Sequence, residues 1–108
     1  MKIQIREREV DVTASLRAQV DRRLHFALGR FGARIGHVNV RFWDTGGQRG
    51  GGRKACEIDV VLSRSGSVHV EDTGSDLFTA LDSAAGRVSR AVAHAVDRSR
   101  WSSSHAPH

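Results

Sequence analysis

The sequence predicts an α+β domain with the element order β-α-β-β-β-α, in which two helices pack on one face of a four-stranded sheet. Three observations predict it. Four short segments alternate polar and apolar residues, which is the period of a half-buried strand. Two longer segments repeat apolar residues at helical spacing. The chain has 108 residues, which is enough for one modest hydrophobic core and too few for a second domain.

The first strand and the first helix are predicted in the N-terminal third. Residues 2–6 (Lys-Ile-Gln-Ile-Arg) alternate as a strand does. Thr13 suits the N-cap of a helix that runs to about Phe31, with Gly32 as its C-terminal signal. Gly29 weakens the last turn of that helix. Its apolar arc consists of Leu16, Val20, Leu24, Ala27, Leu28 and Phe31.

Three strands and a long helix are predicted to follow. Residues 37–44 and 53–63 alternate on either side of a connecting loop and are expected to pair antiparallel, and a shorter strand contains Val68 and Val70. Ser75 or Asp76 caps the second helix, which ends near residues 98–100. Residues 1–100 are therefore the predicted domain, and 101–108 a predicted disordered tail. The apolar positions of the second helix are Leu77, Phe78, Leu81, Ala84, Ala85, Val88, Val92 and Val96.

The positive charge of the chain suggests a polyanionic partner. Seventeen Lys+Arg oppose 12 Asp+Glu, for a net charge of +5, and all but Lys2 and Lys54 of these cations are arginine. Arginine suits phosphate and base stacking, so nucleic acid is the favoured partner. A coding bias toward arginine is the alternative.

The arginines gather on the predicted outer faces of the helices. On the first helix, Arg23 and Arg30 flank the apolar arc, and Arg22 and Phe26 point away from the core. Phe26 is interpreted as covering the seam between the helices, although a ring among arginines also suits RNA. The second helix carries a single basic stripe, formed by Arg87, Arg90, His94 and Arg98. Two such faces side by side favour phosphate binding over solvated charge.

The open sheet face is predicted to carry mixed charge. It lacks the paired aromatic residues of an RNA recognition motif, so that module is excluded. Its predicted members are Gln4, His37, Asn39, Arg41, Trp43, Glu57, Asp59, His69 and Glu71.

No pattern in the sequence indicates an enzyme. The glycine-rich loop at 46–52 joins two strands and lacks the Lys-Ser/Thr of a P-loop; it is either a basic RNA-binding hairpin or a disordered tip. Cys56, the only cysteine, is predicted to be an inert core residue. We expect no metal, cofactor, small-molecule substrate or membrane association, and a cytoplasmic location, since no apolar run could span a bilayer.

Several segments resemble the bacterial ribosome hibernation-promoting factors, which include ribosome-associated inhibitor A and the sigma-54 modulation proteins. Residues 1–17 are similar to the family's first strand and helix cap, and residues 21–24 (Asp-Arg-Arg-Leu) to its basic turn. Residues 76–82 (Asp-Leu-Phe-Thr-Ala-Leu-Asp) are similar to the start of its second helix, and residues 87–90 (Arg-Val-Ser-Arg) to its K-L-x-R. The resemblance covers residues 1–98 and indicates a divergent short form.

The resemblance implies a fold related to double-stranded-RNA-binding domains and a function in ribosome hibernation under stress. Such a domain binds ribosomal RNA in the mRNA and tRNA channel of the small subunit and inhibits translation. Arg22, Arg23, Arg87 and Arg90 occupy matching positions; Arg30, His94 and Arg98 extend the surface. Two alternatives remain: a general structured-RNA-binding module, and a protein–protein adaptor that dimerises through the sheet. The oligomeric state is left open.

Overall fold

A computed structural model of the chain describes residues 1–46, 53–64 and 66–104, the last six of them by their backbone. The elements are β1 (Lys2–Arg8), α1 (Ala14–Leu28), a 3₁₀ helix (Gly29–Arg34), β2 (Ile35–Asp44), β3 (Lys54–Leu62), β4 (Ser67–Gly74) and α2 (Leu77–Ser104). This order confirms the predicted β-α-β-β-β-α fold. The glycine-rich loop at 47–52 lies outside the described residues, and so do residues 105–108.

The four strands form one mixed sheet in the order β1-β2-β3-β4. β1 pairs parallel with β2, because α1 carries the chain back across the sheet between them. β2 and β3 pair antiparallel, with Val40 opposite Ile58, as the sequence predicted. β3 and β4 are likewise antiparallel. Both α1 and α2 pack on one side of the sheet, which leaves the other side open.

The core is the layer between that covered side and the two helices. Four leucine and valine positions of α1, spaced by four, are buried against the sheet: Leu16, Val20, Leu24 and Leu28. Phe42 is the largest fully buried side chain, and Leu81, Val88 and Val92 of α2 are fully buried too. The strand alternation that predicted this layer supplies its other wall, from Val38, Val40, Cys56, Ile58 and Val60.

Two side-chain caps fix where the helices begin. Thr13 Oγ1 accepts a hydrogen bond from Leu16 N at 3.1 Å, which confirms the predicted cap of α1. Asp76 Oδ1 accepts one from Thr79 N at 2.8 Å. These bonds lower the pKa of Asp76 from its usual value, because the backbone N–H of Thr79 stabilises the carboxylate. Asp76 is therefore the cap of α2.

The ends of both helices differ from the prediction. α1 was expected to reach Phe31, but it ends at Leu28 and continues as the 3₁₀ helix. Gly29 is the first residue of the 3₁₀ helix. Because glycine is a poor α-helix former, the α-helix ends before it and the more tightly wound 3₁₀ helix begins. α2 was expected to end near 98–100, yet it runs to Ser104. Residues 101–104 are thus helical, and the division into a domain and a tail otherwise stays a prediction.

Gly74 determines how closely α2 follows β4. A Cβ atom on this residue would lie 2.7 Å from Ala80 N and 2.9 Å from Thr79 Cβ. No side chain is accommodated at such distances, so the sheet ends on a residue that lets the first turn of α2 approach its backbone. The close approach seats α2 on the covered side, beside α1.

Candidate nucleic-acid interface

The two arginines on α1 have different environments. Arg22 is exposed, and its Nη2 donates to Gln19 Oε1 at 2.7 Å. Arg23 is half-buried, with Nε lying 3.0 Å from Asp82 Oδ1 of α2. This Nε has no partner that satisfies hydrogen-bond geometry, so the contact is an ion pair across the helix seam. Arg22 keeps its full charge at the surface, whereas the charge of Arg23 is partly compensated.

Arg30 lies in the 3₁₀ helix and not in α1. Its guanidinium sits over the ring of Phe31, with Cζ 4.6 Å from the ring centroid. The two residues line a shallow groove of about 320 Å³ together with Ala93, Val96 and Asp97 of α2. A cation over an aromatic face is held in place without losing its charge, so Arg30 adds a fixed positive group at this end of the helix pair.

The four residues of the predicted stripe on α2 differ in their contacts: Arg87 has polar partners on β4, and the other three have no ion-pair partner among the described residues. Arg87 Nη1 donates to Glu71 O at 2.8 Å and lies 3.9 Å from Asp72 Oδ2, which directs this side chain toward β4. Arg90, His94 and Arg98 are all exposed. Within the described residues these three make no ion pair. They carry the stripe's uncompensated side chains.

A groove of about 260 Å³ separates α1 and α2 on the outer surface. Its apolar part comes from small side chains and from Phe26, and Arg23 and Arg90 bring guanidinium groups to it; the full lining is Arg23, Phe26, Ala27, Ala85, Gly86, Ser89 and Arg90. Ser89 Oγ donates to Ala27 O at 3.2 Å and ties the helices together below it. The sequence interpretation missed this groove because its depth depends on how closely the helices pack.

The sequence interpretation that Phe26 covers the seam between the helices is wrong. The side chain of Phe26 is 88% exposed, more than Phe78 at 41%. The helices are joined through smaller residues, with Ser89 bonded to Ala27 O, and the ring of Phe26 lies outside this contact. Phe26 therefore stands at the edge of the groove with its face open to solvent.

The open sheet face carries mixed charge, as predicted, and part of that charge is paired. Arg41 Nη2 lies 3.4 Å from Glu57 Oε2, and the Arg41 guanidinium lies over Trp43, 4.9 Å from its centroid. Lys54 pairs with Asp44 at 2.5 Å, but alternation places these two residues on the side of Phe42 and Cys56 and not on the open face. Strand register adds three cations of β1 to this face, opposite the predicted members on β2: Lys2, Arg6 and Arg8.

His69 lies in an acidic part of the open face. Its Nδ1 is 2.5 Å from Asp59 Oδ1, and its Nε2 is 3.7 Å from Glu57 Oε2. The hydrogen bond to Asp59, followed by the negative charge of its neighbours, raises the pKa of His69. Potential metal-binding atoms of Glu57, His69 and Glu71 lie within 4.8 Å of one another, although exposed acidic groups are common without an ion. The expectation of no metal stays a prediction.

Cys56 is fully buried, as expected from strand alternation. Burial, together with the negative charges of Glu57 and Asp72, raises the pKa of its thiol to about 12. A thiol of this kind is not a nucleophile near neutral pH, because the reactive form is the thiolate. No described helix is long and apolar enough to span a membrane.

Comparisons with known proteins agree on one family. The family model of the sigma 54 modulation protein / S30EA ribosomal protein matches residues 3–100. The N-terminal domain of Thermus thermophilus Protein Y is 26% identical, with a TM-score of 0.69 over 83% of this chain and 93% of that one. A ribosomal subunit interface protein from Coxiella burnetii shares the fold at 19% identity and TM-score 0.69, over 83% of this chain and 91% of that one. Comparison with curated protein sequences gives no significant match.

Proposed function

Because the chain belongs to the sigma 54 modulation protein / S30EA ribosomal protein family, we propose that it is a ribosome-associated factor that inhibits translation and preserves idle ribosomes. The match spans nearly the whole chain and agrees with the resemblance found in the sequence. The proposed location is the cytoplasm, where the ribosomes are. The proposed partner is the ribosomal RNA of the small subunit, in the channel that mRNA and tRNA use.

The observation that carries the RNA-binding part is the uncompensated charge on the helix face. We define the helix face as the exposed outer surface of α1 and α2 that contains Arg22, Arg90, His94 and Arg98. None of these side chains is neutralised by an ion pair within the described parts of the chain. A phosphate backbone would supply the missing negative charge and release its condensed cations on binding. Arg23, Arg30 and Arg87 lie beside the same surface and contribute their remaining N–H groups.

Sedimentation with purified ribosomal subunits tests the proposal. The chain should appear with the small subunit at low salt and dissociate as salt rises, because phosphate contacts are screened. In a translation extract it should compete with mRNA or initiator tRNA for the subunit. If the chain does not sediment with the small subunit even at low salt, the proposal is wrong.

A general structured-RNA-binding module is the second candidate, since the same basic face fits any A-form duplex. Competition separates the two. An unrelated RNA duplex in excess should leave small-subunit binding nearly unchanged if the site is ribosomal. Equal displacement by duplex and by subunit, at equal concentrations of binding sites, would favour the general module.

A further inference from the structure

Phe26 is the one large apolar side chain of the helix face that the packing of the described residues leaves almost fully in water. At 88% exposure it costs free energy in the isolated protein. It stands beside the groove between α1 and α2, whose floor is made by the small residues Ala27, Ala85 and Gly86. An exposed ring next to a narrow apolar slot indicates a flat apolar ligand.

The charges around the groove restrict the class of ligand further. Arg90 lines it and has no ion-pair partner among the described residues. Arg23 lines it too, and its ion-pair partner is Asp82, half exposed at the surface. A ligand with one flat ring system and an adjoining negative charge matches this arrangement of one ring and two guanidinium groups. An RNA nucleotide has both parts, a base and a phosphate.

We propose that the groove binds one unpaired nucleotide of the RNA partner, with its base stacked on Phe26 and its phosphate on Arg90. The proposal rests on the RNA-binding function inferred above and adds a contact that reads an unstacked base. The volume of about 260 Å³ falls below that of the roughly 300 to 1,000 Å³ pockets that enclose drug-sized molecules. It suits a single base held at an open edge.

Gly86 keeps the groove deep enough for such a base. A Cβ atom there would meet only Arg90 Nη1, at 4.0 Å. The fold therefore does not require glycine at this helical position, and a larger side chain would extend into the groove. Since glycine is a poor helix former, its replacement should also stabilise α2. Gly86→Leu should therefore fill the groove, and its melting temperature reports whether the fold tolerates the larger side chain.

Affinities of purified small subunits for four proteins test the proposal. Phe26→Leu keeps an apolar side chain and removes the ring, so affinity should fall about 5- to 150-fold, the usual loss of one base–aromatic stack. Phe26→Trp should bind as tightly as the parent chain. Gly86→Leu should bind as weakly as Phe26→Leu while its melting temperature is unchanged or higher. Because Phe26→Leu leaves Arg90 and its phosphate contact in place, the salt dependence of this variant should equal that of the parent.

Chemical probing of the ribosomal RNA identifies the ligand directly. One unpaired base should be protected by the parent chain and reactive again with Phe26→Leu. If Phe26→Leu and Gly86→Leu bind like the parent with the same protection pattern, the groove proposal is overturned and the function stands. If both lose affinity but no base changes reactivity, a ribosomal protein occupies the groove and the proposal is again wrong. A parent chain that does not bind small subunits overturns both.

Discussion

Both faces of the domain carry cationic side chains, but the faces differ in how many of these side chains have an acidic partner. On the open sheet face, Arg41 has an acidic partner at 3.4 Å and His69 has two within 3.7 Å, whereas Arg6 of β1 makes no ion pair with the described residues. On the helix face, Arg90, His94 and Arg98 make no ion pair with any residue that the structure describes. The difference teaches that net charge says little about function until each cation's partner is known. Exposed ion pairs add little to stability, but they partly neutralise the cations in them, whereas an unpaired cation is available to a polyanion.

Reversing two unpaired cations of the helix face should have the largest effect. We expect Arg90→Glu with Arg98→Glu to lower small-subunit affinity about 100-fold, roughly tenfold for each charge-assisted contact. The melting temperature should stay within a degree or two, because neither side chain makes an ion pair with a residue that the structure describes. Equilibrium binding and thermal unfolding measure the two quantities.

Arg6→Glu with Arg8→Glu is the matched control on the sheet face. Both residues lie on β1, both are exposed, and the change in net charge is the same. Affinity should fall far less than in the helix-face variant, since charges beyond about 10 Å are screened at physiological salt. Equal losses in the two double variants would mean that net charge alone drives binding.

The helix face depends on how α2 is seated against β4, and Gly74→Ala tests this. The added Cβ would lie 2.7 Å from Ala80 N, so backbone must shift, at a cost of about 1–3 kcal/mol. Gly29→Ala is the control: its φ is −56° and ψ −37°, and a Cβ there meets nothing within 4 Å. It should leave stability unchanged or raise it by up to about 1 kcal/mol. Urea unfolding compares them, and equal destabilisation would contradict the close approach.

Asp82→Asn should convert a paired cation of the helix face into a free one. It removes the ion pair with Arg23, which is partly exposed at both ends, so stability should fall by less than about 1 kcal/mol. Small-subunit affinity should rise roughly two- to fivefold, because the negative charge that offsets Arg23 leaves the face. An unchanged or lower affinity would show that Arg23 does not face the RNA.

The smallest effect is expected on the sheet face, from His69→Gln. The pKa of His69 is raised above its usual 6.5 by Asp59. Its stabilising contribution is therefore complete below pH 6.5 and is lost as pH rises through the folded-state value. The stability difference between parent and variant should be larger at pH 6 than at pH 9, and small throughout because the pair is exposed. A difference that grows with pH would contradict the assignment, and ribosome binding should be unaffected.

The order of elements and the membership of the core followed from periodicity, because burial on one side of a strand or helix imposes a period. Val38, Val40 and Phe42, for example, are all fully buried. The partners of the arginine side chains could not be predicted from periodicity. The ion pair of Arg23 with Asp82 and the hydrogen bond of Arg87 to the backbone carbonyl of Glu71 depend on how α2 lies against α1 and β4, which sequence spacing does not encode. The exposure of Phe26 has the same origin, since it depends on how the two helices meet at Ala27 and Ser89.

The salt dependence of small-subunit binding tests the central claim most directly. The measurement compares the parent chain with the neutralised variant Arg90→Gln with Arg98→Gln, as the slope of log affinity against log salt concentration. If each arginine contacts one phosphate, the slope should be shallower in the variant by about 1.4 to 1.8, from roughly 0.7 to 0.9 per phosphate. Identical slopes would contradict the claim that the unpaired cations of the helix face bind the RNA backbone.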